Sequence, residues 1–488
     1  MKRIIIWIGI LFAAVSCESF LDMQPTSSAN AAQAIQTPSD AGVALNGIMR
    51  SLTSSSLYGR NLLLYADAKG GDLTIYSAGR GLDGLYSFNH SATSNSYSGY
   101  WSSGFYLLMQ INNLIGNIER LEEAGEGGFD YYMGAALTLR AMLAFDLVRL
   151  YGAPYTQNPS AFGIPGAAVI HSAGSEPGRL TVAENYRQII SDLESGATRL
   201  SSDKSRRNGQ VGYYANRALQ ARVRLFMRDF AGALAASEEV INDGGYKLYE
   251  PQDWAASWSK QYGSESILEL GIDTEADLTT ASLGFYYVRY HQFTNAQGWF
   301  LASDYFLNRL GEDPQDVRWG VMDSDESVEK TGVERKGACY KYVGGIAAAG
   351  DGKETRTAVN IKLFRLSEMY LISAEAALHS ASPDRALAAS RLNAIRRRSP
   401  NLAPVDAGTV SDALILSERS KELFGEGHRF FDRIRAGESI EFNDDFQDVP
   451  VSGRSKVISP DFQRIILPIP QDEINANRTI ASQQNPGY

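Results

Sequence analysis

Apolar residues recur at every third or fourth position over long stretches of this chain, the spacing that gathers them on one face of an α-helix. Residues 101–123 carry Phe105, Leu108, Ile111, Ile115 and Ile118, and residues 131–150 carry Ala141, Ala144, Phe145 and Val148 in the same rhythm. Gly152 and Pro154 stop the second run. Thr181 followed by Glu184 has the spacing of a capping box and opens a further helix through Ile189, Ile190 and Leu193. Residues 211–227 and 230–241 read as an antiparallel pair, with Asp229 capping the second member. Residues 361–380 and 383–398 read as another pair, Pro383 suiting a helix start because its missing donor needs no partner there. Residues 41–57, 411–424 and 428–436 complete the helical prediction.

Some of these helices repeat. Ala218, Ala221 and Leu225 reappear 153 positions on as Leu371, Ala374 and Leu378, and Ala233 with Leu234 as Ala386 with Leu387. Ala141, Ala144 and Val148 fit the same template. Small residues permit close helix crossing and larger apolar ones fill the space beside it, the pattern of tetratricopeptide-like helix pairs. Two stretches depart from it. Residues 58–104 and 246–359 are rich in glycine and aromatic residues and predict loops, with short strands near Ile267–Leu270 and Tyr340–Tyr342. The expected fold is mainly α-helical, with variable loop-rich insertions.

The first residues change the picture of location. Lys2 and Arg3 precede an apolar run from Ile4 to Val15. As a helix it would be about 18 Å long, short of the roughly 30 Å hydrocarbon core, so it reads as a signal peptide over 1–16. Small residues Ala13, Ala14 and Ser16 lead to Cys17, the arrangement of a bacterial lipoprotein signal in which the exposed cysteine is lipidated. Residues 17–40, rich in Ser, Ala, Gln, Pro and Thr, read as a tether. Residues 41–488 then form a single body. The chain has 488 residues and a formal charge of −10, which argues against general nucleic-acid binding. Cys339, the other cysteine, reads as a small core residue.

Three clusters, taken with that signal, resemble the SusD/RagB family of outer-membrane nutrient-binding lipoproteins. They are Arg140-Ala141 with 145–152 and Pro154; 365–371 with Ala374-Glu375-Ala376; and Glu418-Arg419, Glu422-Leu423, 426–430 and Asp432. The ending, Leu467-Pro468-Ile469-Pro470 and 484–488, agrees. The resemblance implies a SusD-like fold with four tetratricopeptide-like helix pairs and variable ligand-facing insertions. It also implies a lipid anchor at Cys17, a position on the cell exterior and a TonB-dependent outer-membrane transporter as partner. The chain would capture an oligomeric nutrient, a glycan or alternatively a peptide, and hand it over. A glycan-active hydrolase or an adhesion protein is the reading of a different class.

The remaining chemistry fits binding better than catalysis. Glu418, Glu422 and Glu426 recur every four residues among Arg419, His428, Arg429 and Asp432, and read as an ion network supporting packing. Five scattered histidines form no metal-ligand array, and a calcium site in the acidic run Asp323–Glu326 has no specific motif behind it. No cofactor is expected. A glycan site would need an aromatic platform and polar groups. Trp299 and Phe300 follow Gly298 before a predicted helix, and Tyr76, Tyr86, Tyr290 and Trp319 are secondary choices. Asp67, Asp72, Asn89, Arg289, Asn295 and Gln297 offer hydrogen bonds.

Overall fold

The computed structural model describes residues 34–76, 83–93, 98–171, 174–272, 278, 281–289, 298–328, 332–343, 359–444 and 454–488. The signal peptide, Cys17, Tyr290, Asn295 and Gln297 lie outside the described residues.

Twelve helices build the body and its insertions. In chain order they are α1 (Pro38–Leu52), α2 (Asn61–Ala68), α3 (Ser98–Glu123), α4 (Asp130–Tyr151), α5 (Val182–Leu200), α6 (Tyr213–Met227), α7 (Phe230–Asp243), α8 (Leu283–Tyr287), α9 (Asp304–Leu310), α10 (Leu366–His379), α11 (Arg385–Arg396) and α12 (Asp412–Glu422). A further short helix, α13 (Arg429–Arg435), follows. Capping fixes several starts: Thr37 and Thr181 each close a capping box, with Asp40 and Glu184, and Asp229 and Asp384 cap α7 and α11.

The long helices stack in sequence order across the body. α3 packs on α4, α4 on α5, α5 on α6 and α6 on α7; α7 then meets α10, and α10 meets α11. Ala218, Ala221, Ala233, Ala236, Ala374 and Ala377 are fully buried at these crossings, where a larger side chain would hold the backbones apart. The pairs α6–α7 and α10–α11 therefore lie side by side although 122 residues separate Asp243 from Leu366. α4 is buried almost all round, as a helix surrounded by others must be. Its Arg140 makes a two-pronged bond to Asp192 of α5, each N–O distance 2.7 Å, and reaches Asn112 of α3 at 2.9 Å. One guanidinium thus ties three consecutive helices.

Residues 361–365 correct the helical prediction. They form strand β6 (Ile361–Arg365), which pairs antiparallel with β2 (Ser266–Leu270). The apolar spacing of this stretch suits either state. Long-range pairing with the buried β2 decides it, and the helix begins only at Leu366. The other ladders are equally short: β1 (Leu73–Ile75) with β3 (Phe300–Ala302), β4 (Met322–Asp323) with β5 (Ala338–Cys339), and β7 (Ile440–Glu441) with β8 (Val457–Ile458). α1 ends at Leu52, five residues before the predicted boundary. Cys339 is buried, and burial pushes its thiol up to about 11.

Candidate functional site

The β1–β3 ladder joins the two loop-rich insertions. Ile75 faces Phe300 in register, and just beyond it the Tyr76 amide donates to the Trp299 carbonyl at 2.8 Å. Two aromatic residues far apart in sequence are thereby held side by side at one end of a long-range antiparallel ladder. Phe300 points into the core and is 1% exposed, whereas its neighbour Trp299 is half-buried. All three residues of β3 are buried, and Trp299 stands just before the strand, where the cover ends.

Around Trp299 and Tyr76 the structure gathers more polar and aromatic groups. The ring of Tyr286, on α8, meets Trp299 edge-on with centroids 4.9 Å apart. Arg60 lies 4.6 Å over the Tyr286 ring and donates from Nη1 to its hydroxyl at 2.8 Å. Arg289 stacks over Tyr76 at 3.9 Å and pairs with Glu326 at 2.8 Å. Gly298, with φ +46°, allows this closure, because a Cβ there would lie 2.4 Å from Arg289 Cδ. The result is a cluster in which Tyr76 and Tyr286 are buried under the guanidinium groups of Arg289 and Arg60, while Trp299, both arginines and Glu326 keep part of their surface open.

Other predicted residues lie elsewhere. Tyr86 is 1% exposed, donates to Asp444 and packs edge-on against Phe442. Trp319 lies on a 3₁₀ turn, Val317–Val321, packed against the core. Asn89 is exposed. Asp67 is buried, accepts from the Tyr287 hydroxyl and the Gly427 amide, and is pushed up to about 8 by its loss of solvent. Asp72 is buried between Arg309 and Arg429. Asp325, in the acidic run, is taken up by Ser327 and Arg335, and no group of three or more potential metal ligands occurs among the described residues.

The Glu418–Asp432 cluster forms a different kind of site. Arg365 pairs with Glu265, Glu422 and Glu426 at 3.1, 2.9 and 2.7 Å. Arg398 pairs with Glu265 and Glu422, Arg318 with Asp316 and Glu418, and Lys341 with Glu426. Farther along, Arg419 and Arg435 hold Asp432, while Glu375 completes the second arginine's contacts. All of these side chains are nearly inaccessible. Neighbouring guanidinium groups, among them Arg398, Arg365 and Arg318, overcome the burial of Glu422 and hold it well below the usual carboxylate range; Arg419 and Arg435 do so for Asp432. Burial keeps His428 well below its ordinary value and therefore neutral.

Comparison with known proteins turns on the same region. The SusD family profile matches residues 236–488, which contain β2 through the whole ion network. The chain belongs to the SusD family. A second profile, described as starch-binding and associating with the outer membrane, matches residues 75–225. A SusD superfamily structure from Bacteroides thetaiotaomicron is 31% identical, covering 92% of this chain and all of its own, with a TM-score of 0.80. A putative sugar binding protein from Bacteroides vulgatus is 29% identical, covering 93% and 99%, with a TM-score of 0.81. SusD-like protein P38 of Formosa agariphila is 25% identical over 97% of both chains. No helix among the described residues of this SusD-family chain is long and apolar enough to cross a membrane.

The sequence marked Tyr76, Trp299 and Arg289 as separate possibilities; the β1–β3 ladder and the Arg289–Tyr76 stacking make them neighbours. The sequence did not mark Tyr286, Arg60 or Glu326. Tyr286 sits in an aromatic-rich stretch, but nothing in the spacing of Arg60 or Glu326 marks either one. A cleft of about 620 Å³ between α3, the 165–177 segment and 470–477, lined by Tyr106 and Met109, also had no sequence signal.

Proposed function

We propose that this chain is a surface-exposed lipoprotein, anchored through Cys17, that captures an oligomeric glycan and passes it to a TonB-dependent outer-membrane transporter. The observation that carries the glycan reading is the convergence of Trp299, Tyr286, Tyr76 and Arg289 at one end of the β1–β3 ladder. Ring faces can cover the apolar C–H face of a sugar, while guanidinium and carboxylate groups replace water around its hydroxyls. Similarity to a putative sugar binding protein supports this choice over a peptide. Tyr290 and Asn295, from the same insertion, join the proposed ligand-facing set.

The helical body would serve as the rigid mount. We assign its four tetratricopeptide-like pairs as α1–α3, α4–α5, α6–α7 and α10–α11, with 58–104 and 246–359 as the ligand-facing insertions. The signal peptide over 1–16 and the tether over 17–40 complete the layout. The carboxylates of the Glu418–Asp432 network are committed to arginines and Lys341, which favours a binding protein without turnover.

Calorimetric titration of the mature lipoprotein in detergent, with panels of oligosaccharides and of peptides, tests the reading. A glycan is expected to bind without product formation, and Trp299→Ala to weaken it by roughly tenfold or more. Binding of peptides alone, or glycan affinity unchanged in Trp299→Ala, overturns it.

A further inference from the structure

At the other end of the same ladder, a polar cavity of about 340 Å³ is lined by Asp72, Asn308, Arg309, Arg429, Arg433 and Glu441, with Gly70 and Gly71 in its wall. Arg429 is 9% exposed, yet its guanidinium is poorly satisfied. Its Nε lies 3.1 Å from an Asp72 oxygen without the alignment of a hydrogen bond, and its Nη1 has one long contact, 3.5 Å, to the Leu416 carbonyl. Arg309 spends only Nη1, on Asp72 and Ser420. The Asn308 side chain has no hydrogen-bond partner among the described residues and is exposed. Arg433 stands at the rim, paired with Glu438 and the Ser439 carbonyl.

The acids of the cavity are already engaged. Asp72 is shared by Arg309, Arg429 and Ser420, and Glu441 accepts from the Tyr305 hydroxyl. Gly70 keeps the wall open and close: a Cβ there would meet Arg429 Cβ at 2.6 Å. Several N–H donors, fixed on α9 and α13, thus face a cavity in which three guanidinium groups outnumber two carboxylates, Asp72 and Glu441, and the Arg429 Nε is left without a hydrogen bond. Forked guanidinium donors match the paired oxygens of an oxyanion.

We infer that this cavity is an oxyanion subsite, and that it takes a sulfate ester or uronic carboxylate carried by the captured glycan. The inference rests on the glycan reading and narrows its substrate class to acidic saccharides. Asp72 and Tyr76 flank the three-residue strand β1, so the subsite and the aromatic cluster are about 13 Å apart along it.

The test compares a sulfated or uronic oligosaccharide with its neutral counterpart, and inorganic sulfate alone, against the wild-type lipoprotein and Asn308→Asp. That isosteric change puts a negative charge into the cavity and breaks no side-chain hydrogen bond among the described residues, so folding is retained; Arg433→Gln is the second variant. The acidic saccharide is expected to bind roughly tenfold tighter than the neutral one, with the advantage falling as salt rises. Asn308→Asp should abolish that advantage and the sulfate-dependent rise in melting temperature, and Arg433→Gln should reduce both. Equal affinity for acidic and neutral glycans, or an acidic preference untouched in both variants, overturns the subsite while leaving glycan capture standing. Failure of every saccharide to bind, with the sulfate response lost in Asn308→Asp, sinks glycan capture and keeps the oxyanion cavity; free sulfate rather than a glycan is then its ligand.

Discussion

The ion network around Glu422 and the open cluster around Trp299 draw on the same residue types, arginine, glutamate and tryptophan, and use them in opposite ways. In the network every charge is sealed from solvent, and Trp254 and Trp258 close over it: the Lys341 ammonium lies 4.5 Å from the Trp258 ring centre and Arg398 5.2 Å from that of Trp254. In the cluster, Arg289 and Trp299 are half-buried and keep part of their surface for solvent. The first arrangement locks helices to strands, since Arg365 closes β6, Glu265 precedes β2, and Glu422 ends α12. The second presents chemistry at the end of a three-residue ladder. Residue type does not separate scaffold from binding surface here; desolvation does.

Replacing the centre of the network gives the largest expected effect. Arg365→Met should destabilise the protein by roughly 3–5 kcal/mol, because Glu265, Glu422 and Glu426 would keep buried charges with a missing partner. Chemical denaturation measures it. A loss below about 1 kcal/mol would mean that solvent reaches these carboxylates, and the contrast between sealed and open regions would collapse.

Asp67 sharpens the contrast through pH. It stands beside the network, hydrogen-bonded to Tyr287, but has no arginine partner, and burial raises it to about 8. In the unfolded chain it would titrate near the ordinary 3.8. The folded protein therefore holds one more proton between those values, and this group's contribution to stability falls as pH rises from about 4 to 8, by at most about 1.4 kcal/mol per pH unit. Glu422 and Asp432 act in the reverse sense: held down in the fold, they lend stability above the unfolded carboxylate range that disappears on acidification. Asp67→Asn should remove the decline between pH 5 and 8 and leave the acid loss in place. An unchanged slope of unfolding free energy over that window would show that Asp67 is ionised in the fold.

Much of this architecture was legible from spacing alone. Ala218, Ala221 and Leu225 predicted a helix crossing because only small residues allow one, and Thr181 with Glu184 marked its helix start by a local hydrogen-bond pattern. Both signals are carried within a few residues. Residues 361–365 were misread because their partner, β2, lies nearly a hundred positions earlier and pairing leaves no local trace. The clusters had the same difficulty. Glu418, Glu422 and Glu426 share a helix period, so their common destination could be read; Tyr76 and Trp299 meet only through the long-range β1–β3 ladder and Arg60 joins them only through Tyr286, which no local rule announces. The oxyanion cavity is more hidden still, since Arg429 belongs by sequence to the structural motif and by position also lines an opening.

The smallest expected effect tests the open side. Arg289 is held by the Tyr76 ring and by Glu326, contacts that reach solvent and are screened by it. Arg289→Ala should change stability by about 1 kcal/mol or less, in contrast to the several kcal/mol expected at Arg365. The same substitution should weaken glycan binding, because Tyr76 would lose the cation that fixes its ring. Thermal unfolding and titration on the same preparation separate the two quantities. If stability fell as far as in Arg365→Met while affinity held, Arg289 would belong to the scaffold, and the line between sealed and presented charge would have to be redrawn inside the insertion itself.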